Sequence, residues 1–221
     1  MHPYIIPIQE QFKKNADPEN SNWSKAYMRN QFDFFGLDAK LWRKLTKEYI
    51  KQNPVPSRTE LTKIVKELWS LPEREYQYFA VELIASTKKQ WDEKIISLIE
   101  YCITHKSWWE TVDHCATDLT GPYFKLFPHQ IKPITGKWNT AADFWLQRSS
   151  IMFQKFYKKE TDTKLLAQYI KQLAGSKEFF VQKAIGWALR EYSKTDPVWV
   201  KNFVKLNELS PLSKREALKR I

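Results

Sequence analysis

Apolar residues recur every three or four positions along almost the whole chain, and no stretch alternates apolar and polar residues as a strand would. The spacing predicts helices over 4–14, 22–34, 39–51, 58–69, 72–87, 91–104, 107–119, 122–127, 141–158, 162–173, 177–193, 196–206 and 213–221. Gly36 reads as the C-terminal cap of the second helix, and Pro72 suits a first helical turn. Near the middle, Ser107 with Glu110 three residues on has the form of a capping box. On the helix it would start, Trp109 and Asp113 share one face, one turn apart. A core helix would use a second apolar residue there, because an unpaired buried carboxylate is costly. That face is therefore a wet groove or a site.

The helices repeat. Phe144-Trp145-Leu146-Gln147-Arg148 aligns with Phe179-Phe180-Val181-Gln182-Lys183 at a shift of 35 residues, and a further shift of 36 brings Trp108-Trp109 onto Phe144-Trp145. Two helices per unit of this length predict an all-α fold, an α-solenoid of HEAT-like helical repeats forming a single domain over 1–221. Equivalent helices of successive units then line one concave face. Lys183, Trp187 and Arg190 share a side of the helix at 177–193, Arg148 is the repeat equivalent of Lys183, and Trp109 and Asp113 come from 107–119. The face so built carries cations, two indoles and one carboxylate.

Charge sharpens the picture. The 221 residues have a net charge of +11, which points to a polyanionic partner, nucleic acid before an anionic membrane surface. The first residues lack a basic segment followed by an apolar stretch, and no apolar run reaches membrane-spanning length, so we expect a cytoplasmic protein with no membrane partner. The 10 Trp are more than packing alone normally requires. Cys102 and Cys115 lack CxxC spacing and read as reduced core thiols. His114 and Cys115 are adjacent and point different ways from a helix, which argues against a zinc site with His105 and His129. No metal and no cofactor are expected.

Lys106-Ser-Trp-Trp-Glu-Thr-Val-Asp113, Phe144-Trp-Leu-Gln-Arg148 and the segment from Ser176 to Arg190 resemble the DNA alkylation repair glycosylases built of HEAT-like repeats, the bacterial AlkD type. Ala26–Gly36 and Leu212–Ala217 are similar to that family too, so the resemblance runs nearly end to end. It implies hydrolytic removal of cationic N3- and N7-alkylated purines from duplex DNA by a monomer associated with the bacterial nucleoid, without flipping the base. In that reading Asp113 stabilises a cationic sugar and places a water, while Trp109 and Trp187 hold the sugar between indole faces. Arg148 grips a phosphate beside the lesion, and Tyr27, Arg43, Lys44, Lys183 and Arg190 are further DNA contacts. After Gly36 the family carries a polar amide–hydroxyl pair and a Pro-x-x-Arg step, whereas this chain reads Asp38-Ala39-Lys40-Leu41-Trp42-Arg43, and Asp38 would repel a phosphate.

Each residue has a plainer reading. Trp109 could be core, Asp113 could pair with Arg148, Gly186 could admit Trp187 as a packing pair, and the basic residues of 39–51 could be a solvated face. A non-catalytic HEAT-like solenoid that binds DNA or a protein partner is the competing function. Trp109, Asp113, Arg148 and Trp187 occurring together favour the enzyme, since a scaffold has no need of all four.

Overall fold

The computed structural model describes residues 1–221, helical almost throughout and without a β-strand. Two compact units divide the chain, residues 1–92 and 93–221.

The first unit contains α1 (Ile6–Lys14), α2 (Pro18–Tyr27), α3 (Ala39–Gln52), α4 (Arg58–Ser70) and α5 (Arg74–Ser86). Its core joins Phe12, Phe35, Tyr76 and Phe79 in edge and tilted ring contacts at 5.3–6.4 Å. Asp17 and Asp38 cap α2 and α3, each accepting from two backbone N–H groups. Capping explains Asp38, whose charge the sequence reading set against a phosphate.

The helix expected over 22–34 instead ends at Tyr27, because Arg29 and Asn30 both turn left-handed, with φ of 55° and 56°. Gly36 is not its cap. Its φ of 86° lets the chain pass so close to α2 that a Cβ would run into the Asp17 carbonyl and sit 2.5 Å from the Ser21 nitrogen. The buried Glu75 carboxylate closes this turn by accepting from the N–H groups of Phe35, Gly36 and Leu37 at 2.9–3.2 Å.

The second unit contains α6 (Ile95–Thr104), α7 (Trp109–His114), α8 (Gly121–Leu126), α9 (Ile131–Asn139), α10 (Phe144–Met152), α11 (Thr163–Leu173), α12 (Phe179–Tyr192), α13 (Pro197–Leu206) and α14 (Pro211–Leu218). Its core draws Ile151, Leu166, Ile170, Val181, Ile185, Leu189 and Val200 from four of these helices. Asp143, Asp162, Asp196 and Ser210 cap α10, α11, α13 and α14, so the polar residues before these apolar runs set where each helix begins.

Three differences from the periodicity stand out. Helix α9 is absent from the sequence reading. The expected 141–158 helix stops at Met152 and gives way to turns. The capping box is not formed: Ser107 donates its hydroxyl to the Ile103 carbonyl at 2.6 Å, and Trp108 occupies the cap position without a side-chain cap. The repeat is more regular than the sequence alignment had it, since α7, α10 and α12 begin at Trp109, Phe144 and Phe179, at intervals of 35 residues, so that Trp109 and not Trp108 matches Phe144. That register makes Asp113, Arg148 and Lys183 equivalent positions, each the fifth residue of its helix.

Candidate active site on α7, α10, α12 and α14

Asp113 is positioned from both ends. Its helix passes directly into a π-helical segment, Cys115–Thr120, and the Thr117 hydroxyl accommodates the altered ladder by donating to the Asp113 backbone carbonyl at 2.9 Å. Its side chain meets Arg148, whose Nε donates to Oδ1 at 2.6 Å and whose Nη2 donates to Oδ2 at 2.8 Å. The remaining Arg148 nitrogen, Nη1, donates to the Phe180 carbonyl. Each guanidinium nitrogen is thus engaged once, with Arg148 1% exposed and Asp113 16% exposed. The plainer sequence reading, an Asp113–Arg148 pair, is therefore present. It is no solvated surface pair, because the guanidinium is buried and the carboxylate only partly exposed.

Trp109 is half-buried, one turn before Asp113 on the same helix. Its neighbour Trp108 takes the packing role, with its ring 5.3 Å from Phe180 and 6.1 Å from the buried Trp145.

Trp187 is the second indole, and four cations surround its ring. Arg148 lies 5.4 Å from the ring centroid, Lys155 and Lys183 5.6 Å, and Arg190 5.7 Å. A tryptophan face attracts positive charge at this range. Glu216 on α14 fixes the geometry. Its Oε2 accepts from the Trp187 indole N–H at 3.1 Å and from Arg190 at 2.8 Å, while its Oε1 accepts from Lys183 at 2.9 Å. Lys183, Trp187 and Arg190 thus do share a side of α12, as their spacing predicts, and that side is held by α14.

The sequence reading missed Glu216. Its signals were an isolated acid in the basic run from Lys214 to Arg220 and its place in the family-like segment Leu212–Ala217. The hydrogen bond from Lys183, then the charges of Lys183 and Arg190 and the indole N–H, outweigh burial and hold its carboxyl below the usual 4.5. A carboxyl depressed in the folded state adds stability that is complete above its unfolded value and is lost as pH falls through its folded value. The melting-temperature difference between wild type and Glu216→Gln should accordingly be full well above the usual 4.5 and close as the pH falls below it, measured by thermal denaturation at stepped pH.

Gly186, next to Trp187, serves a different neighbour from the one expected. A Cβ there would collide with Cβ of Glu216 and lie 3.0 Å from the Ser213 carbonyl, so the missing side chain admits α14 and not the indole. Gly186→Ala should push α14 away, destabilise the protein by about 1–3 kcal/mol and loosen Trp187, seen as a lower melting temperature and altered tryptophan fluorescence.

Lys155 follows α10 and is half-buried. Burial lowers its pKa, against the opposing pull of Asp113 and Glu191. The indole spacing did not single it out, although the 35-residue register places it at the position equivalent to Arg190.

Tyr27, Arg43 and Lys44 belong to the first unit, where all three are exposed. The Tyr27 ring stacks on that of Trp23, with centroids 5.2 Å apart and planes 6° from parallel, and Arg43 lies 4.9 Å from the Trp42 ring centroid.

Asp113, Trp109, Trp187 and their buried arginine, on helices repeating every 35 residues, define the class: an all-helical repeat protein with a carboxylate and two indoles gathered in one unit. The chain belongs to the DNA alkylation repair enzyme family, whose profile matches residues 8–221. It is similar in structure to a predicted DNA alkylation repair enzyme from Enterococcus faecalis, at 33% identity and a TM-score of 0.86 over 93% of this chain and 96% of that one. The fold is also that of AlkD2 from Streptococcus mutans, at 20% identity and a TM-score of 0.64 over 89% of this chain and 98% of that one. No curated protein matches the sequence. None of its helices is long and apolar enough to cross a membrane.

Proposed function

We propose that this chain is a monofunctional DNA glycosylase that removes cationic alkylated purines of the N3-methyladenine and N7-methylguanine type from duplex DNA, leaving an abasic site. The observation that carries the proposal is the Asp113 carboxylate, held at two points by a buried arginine and partly open to solvent one turn from Trp109. A purine alkylated at N3 or N7 already carries positive charge, so no acid is needed to protonate the leaving group. As the C1′–N bond lengthens, its electron pair moves into the purine and the sugar acquires oxocarbenium character. Asp113 opposes that charge with a fixed carboxylate, and an indole face adds attraction. A water oxygen then bonds to C1′, the purine departs neutral, and the water proton passes through Asp113 to solvent.

Arg148 serves this chemistry through Asp113, since each of its nitrogens already donates within the protein. Glu216 does the same for Trp187. Tyr27, Arg43 and Lys44 are exposed as backbone contacts should be, and such contacts fix register without reading sequence. The substrate base stays in the stack and the protein acts as a monomer, as the family resemblance implies.

Incubation with duplex DNA carrying radiolabelled methylated purines tests the proposal. Release of free N3-methyladenine or N7-methylguanine is the expected result. Salt-sensitive duplex binding without any release would assign the chain to the non-catalytic class instead.

A further inference from the structure

Of the four cations around Trp187, three are already spoken for. Arg148 is committed to Asp113 and the Phe180 carbonyl, and Lys183 and Arg190 both bind Glu216. Lys155 alone has no carboxylate within ion-pair reach, and its Nζ rests 5.6 Å from the Trp187 ring centroid and 5.0 Å from that of Phe156. A lysine that only complemented the C-terminal dipole of α10 would extend into water, where an ammonium is best hydrated. This one is drawn under partial cover against the Trp187 ring instead, within electrostatic range of Asp113 and Glu191. Glu191 acts on Lys155 only from a distance and is itself paired with Lys194, so the four cations still outnumber the carboxylates left to them, and the unpaired ammonium is the one free to accept a new partner.

We infer that Lys155 grips a backbone phosphate of the DNA strand that lies against Asp113, taking the role that the sequence alone assigns to Arg148. The inference deepens the reading of this site as a DNA-processing one and rests on it. A phosphate brought to Lys155 supplies the missing counter-charge. It also keeps the ammonium from opposing positive charge developing on the sugar, because the pair is locally neutral. Lys155 is in this sense a positioning residue: it fixes the strand, and Asp113 acts on the sugar.

The test measures binding to a duplex containing one tetrahydrofuran abasic-site analogue as a function of NaCl, for wild type, Lys155→Gln and Lys155→Arg. Base release from a methylated duplex is followed on the same preparations. Losing one phosphate contact should weaken binding several-fold at low salt and flatten the slope of log K against log [salt] by about 0.9 for Lys155→Gln. Lys155→Arg should restore both. A merely structural lysine would change the melting temperature without changing the slope.

An unaltered slope in Lys155→Gln would overturn the assignment, as would a flattened slope that arginine fails to restore. If wild type releases no base while the slope still flattens in Lys155→Gln, the glycosylase reading fails and the phosphate contact stands. If wild type releases base normally and the slope is unaltered, the reverse holds.

Discussion

Asp113→Asn should lower the rate of base release by about 10²–10⁴-fold while leaving binding to an abasic-site duplex unchanged or slightly tighter. The substitution keeps the shape of the side chain and removes its charge. With the charge goes the electrostatic opposition to a cationic sugar and the acceptor for the water proton, both of which matter in the transition state more than in the bound complex. Binding survives because removing a negative charge from a DNA-facing edge cannot weaken attraction to phosphate. The amide also disturbs the clamp, since one of the two Arg148 donors would now face an N–H₂ group in place of an oxygen, and about 2 kcal/mol of stability should be lost with it. Single-turnover release of methylated purines, fluorescence titration with a tetrahydrofuran duplex and thermal denaturation read these three effects separately. Normal release by the variant would remove Asp113 from the mechanism.

Arg148→Met should be the most destabilising single change in the site, at about 3–5 kcal/mol. The guanidinium is buried, and its loss strips Asp113 of two charge-assisted bonds and leaves the Phe180 carbonyl without that donor. For a chain of this length the cost corresponds to a melting temperature lower by roughly 10 °C. Activity should fall with it by at least about tenfold, because a carboxylate free to rotate no longer meets the sugar in one orientation. Arg148→Lys should recover little, since an ammonium offers no planar fork to grip both carboxylate oxygens and the Phe180 carbonyl together. In a double-mutant cycle the Asp113→Asn and Arg148→Met losses should be far from additive, as expected of two residues acting as one unit. Additive losses in both stability and activity would mean that Arg148 does not act through Asp113.

The two predictions differ in how much of their basis the sequence supplies. Asp113 stood out because a carboxylate one turn from a tryptophan conflicts with core packing, a signal local to a single helix. Arg148 was given first to a phosphate, with the Asp113 pair only as its plainer alternative, because Asp113 lies 35 residues away and spacing says nothing about which way a long side chain turns. Glu216 and Lys155 were not singled out at all. Each matters only through neighbours on other helices, Lys183, Trp187 and Arg190 for Glu216 and the Trp187 ring for Lys155.

By itself the sequence determined the helical class, most helix positions and the recurrence of about 35 residues. Periodicity near 3.6 and aspartate or serine caps are properties of neighbouring residues that water reads before any tertiary contact forms. It also placed Trp109 with Asp113, and Lys183 with Trp187 and Arg190, since each set lies on a single helix. Tertiary structure decided that Gly186 makes room for α14 and not for Trp187. It decided above all how charge is shared: Arg148 buried on Asp113, Lys183 and Arg190 on Glu216, and Lys155 left over. Long cationic side chains reach any of several helices, and desolvation selects among the carboxylates only when those helices have packed.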